Sequence, residues 1–177
     1  MPGRSPREAV KAYREPLQKN VSIICSGVLT VSNYQNLDQV SVLTLPDPIS
    51  LNGRSDLYLS FTQQYKIVRD AQNGPYRINT RYYKYAIEDA SGLEIFGYHW
   101  HPEGSSPIPF PHLHIGPGAN VGIPELSGKA HFPTGRVAFE DVVEFLIIHF
   151  GVKPDRALWQ EVLAGCGKYE RANDVAP

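Results

Sequence analysis

The chain has 177 residues, a length that suits one domain with a sizeable core of its own. Its composition is that of an ordinary globular protein, 42% hydrophobic and 20% charged. The formal net charge of −1 excludes a global field that would recruit nucleic acid or an anionic membrane. The N-terminal "MPGRSPREAVKAYREPLQKN" is polar, with no apolar core like that of a signal peptide, and no apolar run approaches membrane-spanning length. Cys25 and Cys166 form no CxxC pair. A reducing cytoplasm with two packed, unpaired thiols is the expectation.

In chain order, "SPREAVKAYREPLQKN" reads as a short helix, with Ser5 as N-cap, Pro6 as first helical residue and Pro16 limiting its length. "VSIICSGVLTVSNY" (21–34) and "DQVSVLTL" (38–45) are rich in β-branched residues and predict strands, with "PDPISLNGRSD" a loop after them. Three longer strands follow at 57–68, 76–89 and 93–100. "AQNG" and "DASG" join them as tight turns, which makes an antiparallel meander. The "DASG" turn should bring Tyr83–Tyr85 beside Phe96–Tyr98. Residues 102–135 hold seven prolines and six glycines with no sustained period and read as a long loop, functional by its length.

Periodicity returns at "AFEDVVEFLIIHFG". Phe139, Val142, Val143, Leu146 and Phe150 share one helical face, Glu140 and Asp141 suit the positive helix start, and Gly151 can end the helix in the left-handed region. "KPDRALWQEVLAG" reads as a second helix from Pro154 to Gly165, and residues 169–177 as a frayed tail. The expected architecture is α+β in a single domain: an antiparallel meander sheet covered by an N-terminal helix and two C-terminal helices.

Four of the six histidines fall in "GYHWHPEGSSPIPFPHLHIG" (97–116). Residues two apart on an extended chain share a face, so His99 and His101 are co-facial, and so are His112 and His114. The connecting "PEGSSPIPFP" is long enough to return the second pair beside the first. His131, in "KAHFPTGR", can close the same site from the far side of the loop, whereas His149 reads as a partly buried helix residue. Clustered imidazoles titrate near neutrality and can move protons, bind a metal or sense pH. The HxHxH of histidine-triad hydrolases fails because Gly116 takes the third place. Two-histidine phosphoesterases fail for want of a hydroxyl two residues after each histidine, and the cupin pattern fails because Glu103 follows His101 too closely. Zinc is chemically open, but neither cysteine nor a nearby aspartate joins the histidines.

The succession "YYKYAIEDASGLEIF", "HWHPE", "FPHLH" and "AFEDVVEFLI" resembles the TumE-type toxins of bacterial toxin–antitoxin operons over about residues 80–148. It departs from them where Trp100 separates the histidines and where the second element has HxH spacing. The resemblance implies a small toxin-like protein acting on RNA and neutralised by a separately encoded antitoxin protein. Cleavage through the 2′-hydroxyl requires an acid, a base and cationic stabilisation, and no cofactor or metal. His112 and His114 are the favoured acid–base residues, with His99 or His101 completing the cluster. Arg77, Arg81 and Lys84 on the neighbouring strand, with Arg136 after the loop, are the phosphate-binding candidates. Strict alternation puts Tyr83 and Tyr85 on the face of Arg77 and Arg81, where bases could stack. Thr134 and Gly135 offer either an anion-binding or an ordinarily capped helix entry. The leading expectation is therefore a metal-independent ribonuclease. The alternatives are a zinc-binding enzyme or sensor built on the same histidines, and a non-catalytic interaction module that docks through the Pro/Gly loop.

Overall fold

A computed structural model describes residues 3–32, 37–70, 74–103, 108–123, 125–126, 128 and 130–166. It contains one eight-stranded sheet with a helix before it and two after it, the expected α+β arrangement. The strands are β1 (Thr30–Val31), β2 (Val40–Thr44), β3 (Ile49–Leu51), β4 (Arg54–Asp70), β5 (Gly74–Asp89), β6 (Glu94–Trp100), β7 (His112–Ile115) and β8 (His131–Pro133). Their order is β1-β2-β4-β5-β6-β7-β8, with β3 beside β4, and every pairing is antiparallel. No helix among the described residues is long and apolar enough to cross a membrane.

The first helix, α1 (Pro6–Ile24), is longer than the sequence suggests. Ser5 caps it through the Glu8 amide as expected, but the helix continues past Pro16 into the segment read as a strand. A proline inside a helix removes one hydrogen bond and costs about 3 kcal/mol. Burial of Ala9, Val10, Tyr13, Leu17, Val21 and Ile24 at helical spacing offsets that loss. The β-branched residues of 21–24 therefore follow the packing rather than their weak strand propensity, and only Thr30–Val31 of that segment forms a strand. The segment read as a loop after residue 45 contributes β3 and the start of β4.

The "DASG" turn forms as expected. Gly92 takes a φ of 80°, and Asp89 Oδ1 accepts from the amides of Ser91 and Leu93. Across it Tyr85 faces Tyr98, Tyr83 faces Trp100 and Ile87 faces Phe96. Residues 71–73 of "AQNG" and the tail 169–177 lie outside the described residues. The helix α2 (Phe139–Phe150) ends at Gly151 in the left-handed region, with a φ of 68°. The helix α3 (Trp159–Cys166) begins five residues after Pro154. Cys25 and Cys166 are buried free thiols, and His149 is exposed rather than partly buried.

The helices cover one face of the sheet. Tyr13 packs on Tyr65, Phe139 on Phe61 and Tyr85, and Phe145 and Phe150 on Phe96. A buried polar chain runs through this layer: Tyr13 donates to Gln63, which donates to Tyr85, and Tyr13 also meets Thr80 at 3.2 Å. The opposite face, which we call the outer face, carries the histidines.

The long 102–135 segment is not wholly irregular, because it holds β7 and β8. Four and three residues are too short to show a period of two in a proline-rich context. The chain leaves β7 through Gly116, where an added Cβ would lie 2.0 Å from the backbone oxygen of Glu94. The constraint is space, since its φ of −83° is ordinary. Gly116→Ala is expected to push β7 away from β6 and destabilise the protein by about 1–3 kcal/mol, the usual range for overpacking. Urea denaturation measures this, and an unchanged midpoint would contradict the close approach.

Candidate functional site

Two cross-strand pairs build the centre of the outer face: His99 of β6 opposite His112 of β7, and His114 of β7 opposite His131 of β8. Alternation sends Tyr98, Trp100 and Leu113 to the helix side and leaves the histidines on the other. Four imidazoles close a ring, with centroid separations of 5.5 Å (His99–His112), 4.8 Å (His112–His131), 5.1 Å (His131–His114) and 5.4 Å (His114–His99). His101, just past the end of β6, adds a fifth ring 5.3 Å from His112. Tyr82 stacks on His101 from β5 at 6.4 Å and 29°.

Glu94 is the anion of the cluster. Its Oε1 lies 2.5 Å from His114 Nδ1, and its Oε2 lies 3.0 Å from Lys84 Nζ and 3.4 Å from His99 Nε2. Burial alone would raise the pKa of this carboxyl. The contacts with His99 and His114 and the Lys84 ammonium outweigh burial and hold it well below the usual carboxylate range. Glu94 reaches this face because of a β-bulge. Ile87 pairs with Phe96 and Glu88 with Glu94, so Ile95 is an extra residue, and the alternation that buries Phe96 is reset. No simple period would have found it.

A second bulge corrects the expected face of the tyrosines. Gln64 pairs with Tyr82 and Tyr65 with Thr80, leaving Arg81 unpaired in the ladder. Beyond it Tyr83 and Tyr85 turn into the core, only 3% and 1% exposed, stacked on one another beneath α2. They are structural residues and cannot offer a face to a base. The side chains that do reach the histidine face are Tyr82 and Lys84.

The basic candidates divide. Lys84 lies opposite His99 and is part of the cluster. Arg81 pairs with Glu103, just beyond His101. Arg77 sits seven residues from Lys84 along β5, on the order of 20 Å away, and is not brought to the site. Arg136 lies over the Trp100 ring at 3.8 Å, beside a residue of the helix face. Thr134 and Gly135 do not enter α2, whose N-cap is Ala138 without a side-chain cap, so neither reading of that helix entry holds.

His112 departs furthest from the role expected of an exposed acid or base. It is 1% exposed, its Nδ1 lies 2.9 Å from the carbonyl of Phe110, and its buried Nε2 has no hydrogen-bond partner among the described residues. A carbonyl only accepts, so Nδ1 carries the proton and Nε2 presents its lone pair inward. Burial pushes the pKa of this imidazole down, and the neighbouring His99, His131 and His101 push the same way. His101 also has a buried nitrogen, Nδ1, without a partner. Two sets of potential ligand atoms lie within 4.8 Å of one another: His99, His101 and His112 in the first, and Glu94, His99 and His114 in the second.

The comparisons supply no precedent: no family model, curated protein or solved structure matches the chain. The chemistry of the site is therefore read from its own atoms. Neutral imidazole nitrogens held inward by outer hydrogen bonds are ligands for a borderline divalent cation, and they suit zinc-class ions better than magnesium or calcium. The Phe110 carbonyl on His112 Nδ1 is an outer partner of the kind that orients a metal-binding histidine, and the Glu94 carboxylate lies 3.4 Å from His99 Nε2.

Gly97 makes room for this arrangement. A Cβ there would fall 2.6 Å from His99 Nε2 and 3.2 Å from Glu94 Oε1. Gly97→Ala is expected to displace the His99 ring while leaving the sheet intact. NMR of the imidazoles should show altered His99 and His114 resonances and an unchanged His149. An unperturbed His99 would contradict the packing described.

Proposed function

We propose that the protein is a metal-dependent hydrolase whose ion is held by His99, His101 and His112. One observation carries the reading: His101 and His112 each hold a buried nitrogen with no hydrogen-bond partner among the described residues, and each, with His99, offers a ligand atom within 4.8 Å of the others. A buried polar atom without a partner costs about 1–3 kcal/mol, and a bound cation removes that cost at two such atoms together. Three histidine ligands leave a position for water or substrate, where a zinc-class ion supplies Lewis acidity. Glu94 orients His99, the Phe110 carbonyl fixes the tautomer of His112, and the Tyr82 ring supports His101.

RNA is the substrate suggested by the resemblance to TumE-type toxins, and with it a cytoplasmic toxin neutralised by a separately encoded antitoxin. Lys84 and Arg81 add positive charge beside the histidines, as a phosphodiester requires. The short His114–Glu94 contact favours a second reading, a ribonuclease without metal. In that reaction a base takes the 2′-hydroxyl proton as the oxygen attacks phosphorus, and an acid protonates the departing 5′-oxygen. His114 and His131 would fill those roles, because the burial of His112 keeps it from substrate.

Elemental analysis of tag-free protein separates the two. The metal reading expects at least one tightly held zinc-class ion per chain, lost from folded His101→Ala and His112→Ala variants. It also expects RNA cleavage to stop on chelation and return with added zinc. Affinity for the ion should fall in acid, since protonated imidazoles are not ligands. Chelator-insensitive cleavage by metal-free protein would overturn this reading in favour of acid–base chemistry.

A further inference from the structure

We infer that the cluster takes a second divalent ion, held by Glu94, His114 and His99 at the position where the Lys84 ammonium now neutralises the carboxylate. This rests on the three-histidine centre proposed above. The two ligand sets share only His99, whose ring can serve one ion with each nitrogen as a bridging imidazolate once its remaining N–H proton is released to solvent. His131 lies between the two positions, against both His112 and His114. Two imidazoles with one carboxylate are a donor set for zinc, manganese or iron(II).

The electrostatics point the same way. The Glu94 side chain is only 12% exposed, and an ionised carboxylate there needs a cation. Lys84 meets that need at 3.0 Å, but its own side chain is 37% exposed, so the ammonium can swing out to water when a metal ion arrives. Binding exchanges the Lys84 ion pair and the His114 hydrogen bond for metal–ligand bonds. The buried nitrogens of His101 and His112 have no partner to give up, so the second ion is held more weakly than the first.

The test is equilibrium dialysis of chelator-stripped, tag-free protein against Zn²⁺ alone, and in parallel against Co²⁺ alone, with metal content read by elemental analysis. The expected result is two ions per chain with separable affinities. Lys84→Met should tighten the weaker site by roughly 10-fold, the lower end of what outer-shell partners of a metal site are worth, and leave the tighter one unchanged. His114→Ala should remove the weaker ion and keep the tighter one. One ion per chain in both wild type and Lys84→Met would overturn the second site while the three-histidine centre stands. A second ion that survives His114→Ala would place it elsewhere and overturn the assignment. No bound ion at all would remove both proposals. Lys84 lies at the surface, so its variant keeps the test decisive if His114→Ala fails to fold.

Discussion

The pairing of His99 with His112 across β6 and β7 is the contact on which the rest of the structure depends. It fixes the register of β7, and a slip of one residue would send His112 and His114 to the helix side and expose Leu113 and Ile115. With that register set, β8 can pair only so as to bring His131 onto His114. Gly116 then carries the chain past the Glu94 backbone at close range. The apolar Phe96, Trp100 and Leu113 on one face and the imidazoles on the other are two results of the same alternation. Core packing by α2 thus holds the histidine face in position without touching it.

Imidazoles this close resist becoming charged together. Adding a proton to one raises the cost of adding it to the next, and the Glu94 carboxylate already has the Lys84 ammonium beside it. Burial first, and then the three other histidines around it, push the pKa of His112 down. A neutral, oriented and partnerless nitrogen is a poor proton donor and a good ligand. The same crowding that weakens the acid–base assignment of His112 therefore supports a metal centre.

Much of this was legible from residue order alone. The strands β2, β4, β5 and β6, the "DASG" turn, the amphipathic α2 and the two co-facial histidine pairs follow from periodicity and turn chemistry, and the returning loop does bring the pairs together. What periodicity missed has two causes. Single extra residues at Arg81 and Ile95 reset the alternation, sending Tyr83 and Tyr85 inward and Glu94 outward. A bulge leaves no mark in hydrophobic pattern, so neither change could be anticipated. Tertiary packing accounts for the rest: α1 runs through Pro16 because its apolar stripe continues, and β7 and β8 form because the cross-strand partners exist.

The most direct measurement of the central claim is anomalous diffraction at the zinc edge from crystals of the tag-free protein grown with zinc. The account predicts an anomalous peak about 2.0–2.1 Å from one nitrogen each of His99, His101 and His112, the usual zinc–imidazole distance. The Phe110 carbonyl should remain bonded to His112 Nδ1. A map with no peak among these three residues, and with the inward nitrogens of His101 and His112 hydrogen-bonded to ordered water, would contradict it.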